Sequence, residues 1–84
     1  MTASLHWRFV NDRTDLFVQG SPNALWEILE RAFNHDGPRI RIPNDAEHVG
    51  ILRGLIASGL ESDALSTLLE AVRGQGCIEV WREW

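Results

Sequence analysis

Three histidines (His6, His35, His48), one cysteine (Cys77) and the carboxylate pairs Asp12/Asp15, Glu61/Asp63 and Glu79/Glu83 are the side chains in this sequence suited to chemistry. Histidines and a cysteine could hold a metal or move a proton. A thiolate could attack an electrophile, and paired carboxylates could work as acid and base. Their spacing argues against each use. No histidine stands at metal-site distance from another histidine or from Cys77, so none of the usual zinc arrangements is present. His35 adjoins Asp36 in a turn-forming stretch, and His48 falls in the first turn of a predicted helix. Both read as surface or cap residues. A nucleophilic cysteine needs a base and an electropositive setting, and nothing local supplies them to Cys77. Asp45, Glu47 and Asp63 sit where a helix N-terminus favours negative charge. Gly74-Gln75-Gly76 is too short for a phosphate loop and leads into a strand. The expectation is a protein without catalytic residues, metal or cofactor.

Composition narrows the partners. The 84 residues allow one domain, 1–84, and the 44% apolar share is enough for a folded core. Net charge is −4, which disfavours general binding to nucleic acid or to an anionic membrane. A protein partner is expected instead, including a basic or nucleic-acid-binding one. All eight basic residues are arginine, so every cation can make planar, bidentate contacts. A lone cysteine permits no internal disulfide and agrees with a cytoplasmic location. No apolar run is long enough to span a membrane, and the first ten residues lack the pattern of a secretory signal.

The elements that would position these residues follow from periodicity. In "LHWRFV", Leu5, Trp7 and Phe9 alternate with His6, Arg8 and Val10. In "TDLFVQ", Leu16 and Val18 alternate with Asp15, Phe17 and Gln19. The two runs, joined by Asn11 and Asp12, read as a hairpin. A helix follows, with Ser21 as N-cap, Pro22 at its first position and a Glu27–Arg31 pair on its wet side. Asp36-Gly37-Pro38 is expected to end it. "RIRI" is a short strand stopped by Pro43. Asn44 and Glu47 suggest a capping box for a second helix with Val49, Leu52, Leu55 and Ile56 inward. Gly50 and Gly54 in that helix suggest close approach by another element, and Gly59 suggests its stop, with hydrophobic Leu60 just after it. A third helix, capped by Ser62, carries Leu65, Leu68, Leu69 and Val72 inward. The last strand is "CIEVWREW". The order β-β-α-β-α-α-β predicts an α+β fold, with about four mainly antiparallel strands and three helices on one sheet face.

Parity then assigns faces. Ile78 and Val80 are the core pair of the last strand, so Glu79, Trp81 and Glu83 point away from the helices. Trp84 is expected to close the core edge. The outer face would gather Arg8, Phe17, Arg39, Arg41, Glu79 and Trp81. Aromatic and arginine side chains are enriched at interface hot spots, so this face is the expected contact surface for a protein partner or a second copy. Trp81 could equally stack beneath Arg39 or Arg41. An open sheet with aromatics and arginines could also stack single-stranded bases, though the element order and acidic balance disfavour it. Acidic residues on the helices (Glu27, Glu30, Glu47, Asp63, Glu70) offer another route to a basic target. The expected function is a non-enzymatic binding module that occupies a surface on a larger macromolecule. By analogy of size and charge alone, antitoxins, immunity proteins and phage-encoded inhibitors of bacterial defence act in this way. The alternative is a small-ligand-sensing or accessory domain that dimerises through its open sheet, with a pocket near Trp26 or Trp84.

Overall fold

Four antiparallel strands and three helices form in the order read from the sequence. They are β1 (Ser4–Phe9), β2 (Leu16–Phe17), α1 (Pro22–Ala32), β3 (Arg39–Ile42), α2 (Ala46–Ala57), α3 (Ser62–Gln75) and β4 (Ile78–Glu83). The structure, a computed structural model, describes residues 3–35 and 37–83. The sheet order is β2-β1-β4-β3, so the last strand lies between the first and the third. Central β4 pairs Trp7 with Val80 on one side and Ile40 with Val80 on the other.

Alternation sends Leu5, Trp7, Ile40, Ile42, Ile78 and Val80 to the helical side. There they meet Leu25, Trp26 and Leu29 of α1, Leu52 of α2, and Ala64, Leu65, Leu68 and Val72 of α3 in one apolar cluster. Arg82 shares this parity. Its guanidinium donates to Asn23 Oδ1 at 3.1 Å and lies 5.7 Å from the Trp26 ring centroid, covering the rim of the core. The expectation for Trp84 at that rim lies outside the described residues, as does Asp36 at the end of α1.

Several boundaries differ from the sequence reading. Helix α1 ends at Ala32 with Phe33 as its cap, short of Gly37 and Pro38, where Phe33 takes extended geometry and is buried. Ser21 is the N-cap position, but its hydroxyl makes no capping bond. Glu27 and Arg31 do not come within ion-pair distance among the described residues. The cap of α2 is Asp45, whose carboxylate accepts from the His48 N–H at 2.8 Å, so the Asn44/Glu47 capping box does not form. Ser62 is the first residue of α3, and its cap is Glu61, in a left-handed conformation (φ 52°). Gly59 does take the positive φ expected of a helix stop (83°), but Leu60 beside it is exposed. Among the described residues, no other element approaches within 4 Å of where a Cβ would stand on Gly50 or Gly54, contrary to the close contact expected there. Strand β2 keeps only two residues; Val18 is buried as expected, but Leu16 is 39% exposed.

Candidate functional site

The outer face of the sheet carries two rows of side chains, one crossing all four strands and the other crossing β3, β4 and β1. Register creates them. Arg39 and His6 both pair with Trp81, and His6 pairs with Phe17. Arg41 and Arg8 both pair with Glu79. Neighbours across an antiparallel sheet are close enough for their side chains to touch.

The first row is a stack. The Arg39 guanidinium lies 4.1 Å from the Trp81 ring centroid. On the other side of the indole the His6 ring is 5.6 Å away and nearly parallel, at 10°. His6 in turn contacts Phe17 at 4.6 Å, tilted by 45°. Trp81 therefore points outward as parity predicts, and it lies outside the main apolar cluster. It is not an open surface, however. The residue is 6% exposed, because Arg39 and His6 occupy the two flanks of its ring and Arg8 stands 5.7 Å away. The aromatic that remains accessible is Phe17, at the β2 edge, 64% exposed.

The second row alternates in charge. Arg41 donates to Glu79 Oε1 at 3.1 Å, and Arg39 donates from the row above to Glu79 Oε2 at 3.0 Å. Arg8 approaches the same carboxylate at 3.6 Å and Asp15 at 3.8 Å. Burial works to raise the Glu79 pKa, but hydrogen bonds from Arg39 and Arg41, with the charges of Arg39 and Arg8, hold it below its ordinary value. The Arg8 Nε–H is buried with no partner among the described residues.

The sequence reading missed one constellation. Ser4 Oγ and Glu83 Oε2 both lie 2.8 Å from His6 Nε2. A serine, a histidine and an acid invite comparison with a nucleophilic triad. That chemistry needs the acid on one ring nitrogen and the hydroxyl on the other. Here both partners share one nitrogen, and a carboxylate only accepts, so Nε2 carries the proton and offers no lone pair to the serine. The cluster orders the end of the sheet; the period-two placing of Ser4 and His6 opposite Glu83 was its only trace in the sequence.

The other chemical candidates separate. His35 lies against Trp26, ring centroids 5.9 Å apart, and its Nδ1 donates to the Gly37 carbonyl at 3.0 Å. His48 stacks on Phe33 at 5.8 Å and contacts the Asp45 carboxylate at 2.7 Å. No group of three potential metal ligands forms among the described residues. Trp26, near which a pocket was expected, is packed into the core. Glu27, Glu30, Glu47, Asp63 and Glu70 are all exposed, spread over the three helices. No helix among the described residues is long and apolar enough to cross a membrane.

Cys77 sits just before β4, partly buried, and its Sγ faces the Ile78 carbonyl at 3.9 Å. Burial raises its pKa; Arg41 opposes that and Glu79 adds to it. Less thiolate is then present at neutral pH, and thiolate is the reactive form. Alkylation by iodoacetamide at pH 7.5 is expected to run several-fold slower than for free cysteine, and to equalise in denaturant. A rate at or above that of free cysteine would contradict this environment.

Comparison of the chain with protein-family models, curated proteins and solved structures returned no match.

Proposed function

We propose that this protein is a non-enzymatic binding module that acts from a reducing compartment, the cytoplasm, by covering a surface on a larger protein. The contact is the outer sheet face, with Phe17 as apolar anchor and Arg8, Arg39 and Arg41 as its polar surround. The observation that carries this reading is the stacked row Arg39–Trp81–His6–Phe17, which ends in a phenylalanine 64% exposed on a face that no helix among the described residues covers. Rigid aromatic and arginine groups bind with little loss of side-chain freedom, and this row is already ordered before any partner arrives. Trp81 serves as the platform that fixes Arg39 and His6, so its contribution to binding is indirect. Blocking the partner by occlusion makes the protein an antagonist.

Base stacking on single-stranded nucleic acid gains nothing from this arrangement. Such binding needs an open ring face, and both flanks of the Trp81 indole are occupied.

Phe17→Ser is the direct test. Phe17 is already mostly exposed, so the variant is expected to keep its fold, with a thermal midpoint close to that of the natural chain. Partner capture, or self-association measured by light scattering, is expected to fall by about tenfold or more, as for a hot-spot residue. Equal capture and equal mass for the two forms would overturn the proposal. Retained binding that weakens strongly with salt would instead point to the acidic helical residues and a basic target.

A further inference from the structure

At the opposite edge of the sheet from Phe17, a cleft of about 750 Å³ is lined by Asn34, His35, Arg39, Arg41 and Glu79. That volume falls in the range of small-molecule sites, although the lining is polar. Its chemistry is set by two guanidinium groups and one carboxylate. Glu79 engages Nη1 of Arg39 and Nη2 of Arg41, one nitrogen from each. A guanidinium has five N–H donors, so most of them stay available. No other hydrogen-bond or ion-pair partner of these two groups occurs among the described residues. The side chains of Arg39 and Arg41 are 39% and 65% exposed, so those donors reach solvent. Trp81 fixes the position of Arg39 from its ring face.

We infer that this cleft binds a small molecule carrying a multivalent oxyanion, with Arg39 and Arg41 as the donors. Planar guanidinium forks match the oxygens of phosphoryl and carboxylate groups. Glu79 holds the two cations close together and leaves one positive charge in excess between them. That excess is local, because the chain as a whole carries −4. The fixed geometry lowers the ordering cost of binding. Asn34 completes the wall. His35 already donates Nδ1–H to the Gly37 carbonyl, and its Nε2 faces Glu30 at 3.7 Å, so it shapes the wall and leaves the anion to the arginines.

The test is calorimetric titration of the intact chain with inorganic phosphate and, separately, with citrate, each against sodium chloride at matched ionic strength. Saturable binding of at least one is expected. Phosphate alone would identify a phosphoryl ligand, and citrate alone a polycarboxylate. Arg41→Gln is expected to weaken binding by about tenfold or more, the loss of one charge-assisted hydrogen bond. Arg53→Gln changes net charge equally on the exposed side of α2 and is expected to leave affinity unchanged. Phe17→Ser is expected to bind the anion like the natural chain, which separates this site from the Phe17 anchor of the proposed protein contact, with which it shares Arg39 and Arg41. Absence of saturable binding by both anions, or an equal loss in Arg53→Gln, would overturn the inference.

Discussion

Replacing Glu79 by alanine is expected to lower stability by about 2–3 kcal/mol and the thermal midpoint by roughly 10–20 °C. Three arginines converge on this carboxylate, at 3.0, 3.1 and 3.6 Å. The carboxylate is well covered, with 14% of its side chain exposed, while the arginines are 30–65% exposed. Removing one partner of a fully buried pair costs about 3–5 kcal/mol, and an exposed pair is worth under about 1 kcal/mol. Glu79 stands between these limits. Its loss also leaves three positive charges facing one another and removes the lower support of the Arg39–Trp81 stack. Glu79→Gln keeps the shape and an acceptor, and is expected to lose less.

The same residue sets an acid limit. Its folded pKa is below the ordinary 4.5 of the unfolded chain. A carboxylate with a depressed folded pKa stabilises the native state fully above its unfolded value, and that contribution disappears as pH falls through the folded value. The gap between the natural chain and Glu79→Gln should therefore be constant above about pH 6 and narrow below about pH 4. Denaturant titrations at a series of pH values measure it. A gap independent of pH down to acid would show that the arginines do not hold the carboxylate ionised.

Converting both Gly50 and Gly54 to alanine is expected to act in the opposite direction. Both glycines lie inside α2, both are exposed, and a Cβ on either would meet no atom of another element within 4 Å among the described residues. Each alanine recovers about 0.8–1.0 kcal/mol of helix propensity, chiefly by restricting the unfolded chain. The pair should raise the thermal midpoint by roughly 7–15 °C for a domain of this size. The helix gains from them because only Leu52 anchors it deeply, with Val49, Leu55 and Ile56 half-buried. Gly20→Ala makes the contrast. Gly20 has φ +127° and its Cβ would stand 3.0 Å from Glu61 Oε2, so that variant is expected to destabilise. An unchanged midpoint for the double variant would mean that α2 does not limit stability.

Period-two and helical spacing were enough to read the element order. In "LHWRFV" and "CIEVWREW" the core residues Leu5, Trp7, Ile78 and Val80 stand two apart, and α1 and α3 carry wide apolar stripes, because burial on one side demands that spacing. Local boundaries were less legible. Asn44 and Asp45 are adjacent and can both cap, and only backbone geometry chooses Asp45. The glycines of α2 suggested a close neighbour because small residues permit one, but permission does not place a neighbour there.

What the sequence determined by itself was parity: which side chains of each strand face the helices, and hence that Arg8, Phe17, Arg39, Arg41, Glu79 and Trp81 share the outer face. What only the tertiary structure decided was which of them touch. The order β2-β1-β4-β3 places Trp81 between Arg39 and His6, and Glu79 between Arg41 and Arg8. Those neighbours cover the indole and leave Phe17 as the accessible ring. Side-chain direction along a strand is set by the backbone of that strand alone, whereas neighbours across a sheet depend on strand order and register, which long-range packing fixes.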